Sequence, residues 1–117
     1  QEQLLQGLKI PYQVVLLCTG DMGKPNARQI DLECWLPGNP STEGSGRGRY
    51  RETHSADFMT DYQARRLNTR VRRKNGEPQF VQMNDATVFA IGRTLIAILE
   101  QCQQKDGSVL LPKVLKI

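Results

Sequence analysis

The stretch that most constrains the fold of this chain is Gln79–Gln104, where a short alternating segment runs into a long apolar one. Phe80, Gln82 and Asn84 alternate with Val81, Met83 and Asp85, the period of a strand with two unlike faces. Asn84-Asp85-Ala86-Thr87 then reads as a polar elbow. Thr87 is predicted to be the N-cap of a helix, because its hydroxyl can accept a first-turn N–H. From Val88 to Leu99 nearly every residue is apolar, which predicts a helix buried on most sides. Arg93 falls in the middle of that run. Gly92 beside it gives up about 1 kcal/mol of helix propensity relative to Ala, which predicts close packing there. A guanidinium stays charged at any working pH, so a buried one needs an anionic partner. Three outcomes stay open for Arg93: snorkelling to water at a helix edge, a structural carboxylate such as Glu33 or Glu52, or a ligand phosphate or carboxylate.

The remaining segments supply a sheet for that helix to cover. Gln1–Leu8 reads as the end of a helix with Leu4, Leu5 and Leu8 on one side, closed by Gly7 and Pro11. Tyr12–Thr19 is a continuous apolar, β-prone run, predicted to be a central strand covered on both faces. The glycine loop after it, residues 20–26, lacks the spacing of a P-loop. In Gln29–Leu36, Ile30, Leu32, Cys34 and Leu36 face one way and Asp31, Glu33 and Trp35 the other. That second face is either solvated or the lining of a cleft. Residues 37–48 are rich in Gly, Pro and Ser and predict a mobile loop. Arg49–His54 predicts a short strand with Tyr50, Glu52 and His54 on one face. Ser55 then predicts the N-cap of a helix reaching Arg66, with Asp57 in its first turn. Asn75-Gly76, between Leu67–Arg72 and Pro78–Asn84, is a hairpin signal. The fold class that follows is α+β: an antiparallel sheet with flanking helices packed on one side.

Composition narrows the function classes. The net charge of +4 permits nucleic-acid contact without demanding it. The basic run Arg65, Arg66, Arg70, Arg72, Arg73 and Lys74 has no aromatic residues interleaved, which favours a solvated face over an RNA surface. Three cysteines, Cys18, Cys34 and Cys102, lie in apolar segments and read as reduced core residues of an intracellular, cytoplasmic protein. No apolar run is long enough to span a bilayer, and no signal peptide heads the sequence. With one histidine and no Cys/His cluster, zinc-ligand spacing is missing.

The run Ala90-Ile91-Gly92-Arg93-Thr94-Leu95-Ile96-Ala97-Ile98-Leu99-Glu100 resembles motif 3 of a class II aminoacyl-tRNA synthetase, specifically of the seryl-tRNA synthetases. The likeness continues downstream through Gln103–Val109 and upstream through Tyr12–Gly23, Asp31–Gly38, Tyr50–Glu52 and Asp61–Arg66, in the family's order. Residues 1–117 then correspond to the C-terminal portion of a class II catalytic domain, with motif 3 at 79–104. Measured against that family, the N-terminal coiled-coil arm, motif 1 and motif 2 would be absent from these residues. The lack of zinc spacing argues against the zinc-dependent archaeal type.

The resemblance implies an enzyme, a serine–tRNA ligase, that uses ATP and Mg2+ to form seryl-adenylate and transfers the seryl group to the 3′ end of tRNA(Ser). It implies a homodimer for the full-length protein and no activity for the fragment alone. By the same resemblance, Arg93 would contact the ATP γ-phosphate, Glu52 and Ser55 would hold Mg2+, and Glu52-Thr53-His54-Ser55 would form the ATP-binding run. Thr87 would contact the serine substrate, with Asp85 beside it. Departures from the family pattern are Asp85, where members carry Asn, His54, where serine is common, and Ala56-Asp57-Phe58, where they read Cys-Ser-Asn. Asp85 replaces a donor-capable amide by an acceptor-only carboxylate. Two other readings stay open: a non-catalytic or repurposed paralogue, RNA-binding or aminoacylating a carrier protein, and a free-standing basic binding module.

Overall fold

The computed structural model describes residues 1–40 and 47–115, Arg47 by its backbone. Helix α1 (Glu2–Leu8) leads into strand β1 (Tyr12–Leu16), and the long strands β2 (Arg28–Pro40) and β3 (Arg47–Phe58) follow. Helix α2 (Tyr62–Leu67), the short strands β4 (Arg70–Val71) and β5 (Gln79–Phe80), strand β6 (Asn84–Thr87) and helix α3 (Ile91–Cys102) complete the order. A four-stranded antiparallel sheet runs β1-β2-β3-β6, and β4 and β5 pair separately. This is the α+β architecture that the alternation of residues predicts.

Strand β2 forms the spine because its alternation suits a sheet covered on one side. Leu32, Cys34 and Leu36 are buried and join Leu5, Leu8 and Ile10 from α1 and its exit, and Ala97 and Ile98 from α3, in one core. Hydrogen bonds fasten the layers. Tyr12 Oη donates to Glu2 Oε2 at 2.7 Å, Gln101 Nε2 donates to the Trp35 carbonyl at 2.9 Å, and Gly38 N donates to Glu100 Oε2 at 2.8 Å. Gly48, at φ +93°, lies against the Trp35 ring where a Cβ would clash, so glycine is required there.

Several predicted elements differ. Strand β1 is the edge of the described sheet, pairing only with β2, and Val14 and Leu16 are exposed. Pro37–Pro40 and Arg47–Gly48 belong to strands and not to a loop, and residues 41–46 lie outside the described residues. No helix starts at Ser55. β3 continues to Phe58 because Ser55–Phe58 pair with Asn84–Thr87, and the ladder outweighs the capping preference of one serine. The helix begins at Tyr62 instead. For the same reason Thr87 ends β6, and the N-cap of α3 is Ala90. Helix α1 closes on Lys9 in the left-handed conformation, not on Gly7.

Helix α3 is buried along one stripe, Thr94, Ala97 and Ile98, while Ile91, Leu95, Ile96 and Leu99 are exposed. Among the described residues a Cβ on Gly92 would meet nothing within 4 Å, so no close packing there explains that glycine. Cys34 is buried and Cys102 half-buried, but Cys18 is exposed. The hairpin at Asn75-Gly76 is present, with Asn75 at φ +65°. No helix among the described residues is long and apolar enough to cross a membrane.

Candidate functional site

The face of the sheet opposite the core is polar, and its composition follows from strand register. Glu33 pairs with Glu52, Asp31 with Ser55, Gln29 with Asp57 and Trp35 with Tyr50 across β2 and β3. Ser55 pairs in turn with Thr87, and Asp57 with Asp85, across β3 and β6. Directly paired residues share a face. Glu52, Ser55, Asp85 and Thr87 are therefore gathered on one surface with Asp31 and Glu33. This decides the open question about β2: its two carboxylates line a cleft.

That cleft, of about 320 Å³, is lined by Leu17, Asp21, Gln29, Asp31, Glu33, Tyr50, Arg51, Glu52 and Arg93. Arg93 reaches it from the first turn of α3, and not from mid-helix. Its Nη1 donates to Glu52 Oε2 at 3.0 Å, so the structural-carboxylate outcome holds in this state. The two side chains are 43% and 34% exposed, so the pair is a loosely solvated one, in a range where ion pairs contribute less than about 1 kcal/mol. The positive end of the helix dipole lies beside the guanidinium and adds to its pull on anions.

Carboxylates dominate the rest of the surface. Burial pushes the Asp31 carboxyl above the usual aspartate range. The Gln29 amide, which donates to Asp31 Oδ1 at 3.0 Å, opposes this, and Glu52, Asp57 and Glu33 reinforce it. Asp57 is raised as well, first by burial and then by Asp85. Asp85 Oδ1 accepts from its neighbour's Ala86 N at 2.9 Å. Among the described residues no three His, Cys, Asp or Glu side chains converge as a ready-made metal cage.

Thr53 and His54 are not on this surface. A register shift between Leu32 and Glu33 leaves Thr53 unpaired, and beyond it His54 pairs with core residue Leu32. The shift therefore separates His54 from Tyr50 and Glu52, which the alternation had placed together. Both Thr53 and His54 are fully buried, and the imidazole packs edge-on against Phe89 with centroids 4.9 Å apart. Burial holds the His54 pKa below the usual histidine range.

Asp57 and Gln29 were missed as members of the polar surface. The signal for Gln29 was available in the Gln29-Asp31-Glu33 alternation, whereas Asp57 was hidden by the helix predicted at Ser55. The basic run acquires aromatic partners in three dimensions. Arg65 and Arg70 lie over the Phe80 ring at 4.9 and 4.4 Å, and Arg66 over Tyr62 at 3.4 Å.

Residues 1–102 match the family model of the tRNA synthetase class II core domain (G, H, P, S and T). The serine–tRNA ligase of Dictyoglomus thermophilum is 52% identical over 99% of this chain, which spans 25% of that relative. A crystal structure of seryl-tRNA synthetase from Pyrococcus horikoshii complexed with ATP superposes with a TM-score of 0.82 at 46% identity, over 97% of this chain and 24% of that one. The cytoplasmic serine–tRNA ligase of Naegleria fowleri in complex with AMP superposes with a TM-score of 0.79 at 40% identity, over 97% and 22%. The chain thus spans about a quarter of the length of the relatives it matches.

Proposed function

The chain belongs to the class II tRNA synthetase core-domain family, and from that premise we propose that the protein carrying it is a serine–tRNA ligase. It activates serine with ATP to seryl-adenylate and transfers the seryl group to the 3′ end of tRNA(Ser). The observation that carries this reading is the polar sheet face, where Arg93 stands among Asp31, Glu33 and Glu52, next to Ser55 and Thr87. Two structural neighbours of matching fold were solved with ATP and with AMP. Because the chain spans a quarter of its relatives, catalysis is assigned to the longer protein. This chain supplies the C-terminal portion of the catalytic domain, and by itself is inactive.

The donor set fits ATP and Mg2+. Magnesium takes hard oxygen ligands, commonly one or two carboxylates completed by phosphate oxygens. Glu52 and Ser55 supply a carboxylate and a hydroxyl on one surface, and phosphate oxygens would complete the coordination. Burial first, and the neighbouring carboxylates after it, raise Asp31, and a surface so rich in carboxylates is short of positive charge, which a divalent cation would offset. Bound ATP supplies the phosphoanhydride whose cleavage drives adenylate formation. Arg93, now paired with Glu52, would hold the terminal phosphate of bound ATP and neutralise its charge, and Glu52 would hold the cation. Thr87 hydrogen-bonds the serine substrate, and Asp85 next to it attracts the substrate ammonium.

Pyrophosphate exchange by the intact protein, measured with serine, threonine, alanine and glycine in turn, tests the reading. Serine alone should support exchange, and Thr87→Ala should raise the KM for serine about tenfold, the loss of one hydrogen bond to the substrate. Exchange driven by a different amino acid would show that Asp85 redirects the pocket. No exchange with any of them would rule out a ligase.

A further inference from the structure

Glu52 and Ser55 are three residues apart. In a regular strand an odd separation puts two side chains on opposite faces. Here they share one, since their partners Glu33 and Asp31 are two apart on β2. The unpaired Thr53 makes this possible by absorbing one residue of strand phase.

Thr53 is also the best-fastened residue in the segment. Its hydroxyl donates to the Leu32 carbonyl at 3.3 Å and lies 3.0 Å from Cys34 Sγ and 2.7 Å from His54 Nδ1. One proton serves one acceptor, so the direction of the contacts with the thiol and with His54 Nδ1 depends on which partner takes the Thr53 proton. His54 Nε2, on the other side of the ring, has no hydrogen-bond partner among the described residues. The Thr53 carbonyl accepts from Ala90 N at 2.8 Å. Ala90 caps α3, which brings in Arg93 three residues later. One buried residue thus ties β3 to β2 through its hydroxyl, and to the start of α3 through its carbonyl.

We propose that Thr53 is a positioning residue, a latch that sets Glu52, Ser55 and Arg93 on a common surface without touching a ligand. The inference rests on the reading of that surface as an ATP–Mg2+ site. It also reassigns Thr53 and His54, which the resemblance had placed in the ATP-binding run, to the support of that run.

The test compares Thr53→Val, which keeps the branched shape and removes the hydroxyl, with Thr53→Ser, which keeps the hydroxyl, both in the intact protein. Thr53→Val should raise the KM for ATP and the half-saturating Mg2+ concentration about tenfold. It should also speed hydrogen exchange of the Ala90 amide by about tenfold. Thr53→Ser should stay within about twofold of wild type in all three. A purely structural role would lower kcat through the active fraction and leave KM and Mg2+ dependence unmoved. Cys34→Ala, which removes one partner of the hydroxyl, should shift the same quantities by about two- to fivefold and serves if Thr53→Val does not fold. Unchanged KM, unchanged Mg2+ dependence or unchanged Ala90 exchange in Thr53→Val overturns the latch. A wild type indifferent to ATP and Mg2+ overturns the site reading itself, a separate and recognisable failure.

Discussion

The two faces of the sheet are built from the same strands and obey opposite rules. On one, Leu32, Cys34 and Leu36 of β2 meet Leu5, Ala97 and Ile98 and exclude water. On the other, Asp31, Glu33, Glu52, Asp57 and Asp85 gather like charges, two of the carboxyls are raised by burial first and by their acidic neighbours second, and Arg93 is their one short ion pair among the described residues. The first arrangement stabilises the fold through buried apolar area. The second works against stability, since like charges on one surface repel, and such a surface is expected where a ligand brings the missing cations. One face holds the chain together, and the other is poised for chemistry.

If that division holds, substitutions on the two faces should separate activity from stability. The largest effect on activity is expected for Glu52→Gln. Pyrophosphate exchange should fall by about a hundredfold or more, the scale for removing one preorganised electrostatic group. The urea midpoint should hardly move, because the carboxylate is a third exposed and its ion pair is weak. Leu5→Ala should do the reverse. Leu5 is fully buried, so unfolding free energy should drop by about 2–5 kcal/mol in urea titrations, with activity per folded molecule retained.

Helix α3 repeats the contrast within one element. Ile98→Ala should cost about 2–4 kcal/mol by the same titration, whereas Leu99→Ala, at a position 50% exposed, should stay within about 0.5 kcal/mol in this chain. Equal costs at the two positions would mean that the far side of α3 is covered.

The smallest effect concerns Asp31. Its folded pKa is raised, so the native state binds a proton more tightly than the unfolded chain, whose value stays near 3.8. Native stability therefore falls as pH rises through the interval between those two values, and the penalty persists at neutral pH. Asp31→Asn should stabilise the fold slightly at pH 7, with the gain shrinking as pH falls through that same interval and gone below 3.8, in paired urea titrations. A destabilised variant at pH 7 would place Asp31 in a favourable pairing instead.

Much of this contrast was legible in the residues. The alternation of Ile30 to Leu36 gave β2 both its faces, because a one-sided core imposes period two on the strand above it. The apolar content of α3 marked a helix but exaggerated its burial. Counting apolar residues does not reveal how many sides find neighbours, and Leu95 and Leu99 find few. Ser55 and Thr87 have good capping chemistry, yet they pair with each other in the ladder, a long-range contact that no local preference encodes. The phase shift at Thr53 carries no glycine to announce it. It was therefore invisible until the register was known, and His54 went to the wrong face with it. Bringing Glu52, Ser55 and Thr87 together needed the sheet, whereas naming them as candidates needed only the resemblance.

The central claim is that the polar face serves ATP-dependent activation of serine while the core face serves stability. The most direct measurement is serine-dependent pyrophosphate exchange by the intact protein, wild type beside Arg93→Ala, with the urea midpoint taken on the same samples. The account predicts exchange in wild type, a loss of about a hundredfold or more in Arg93→Ala, and midpoints that agree closely. Full exchange in Arg93→Ala, or a loss explained by unfolding, would contradict it.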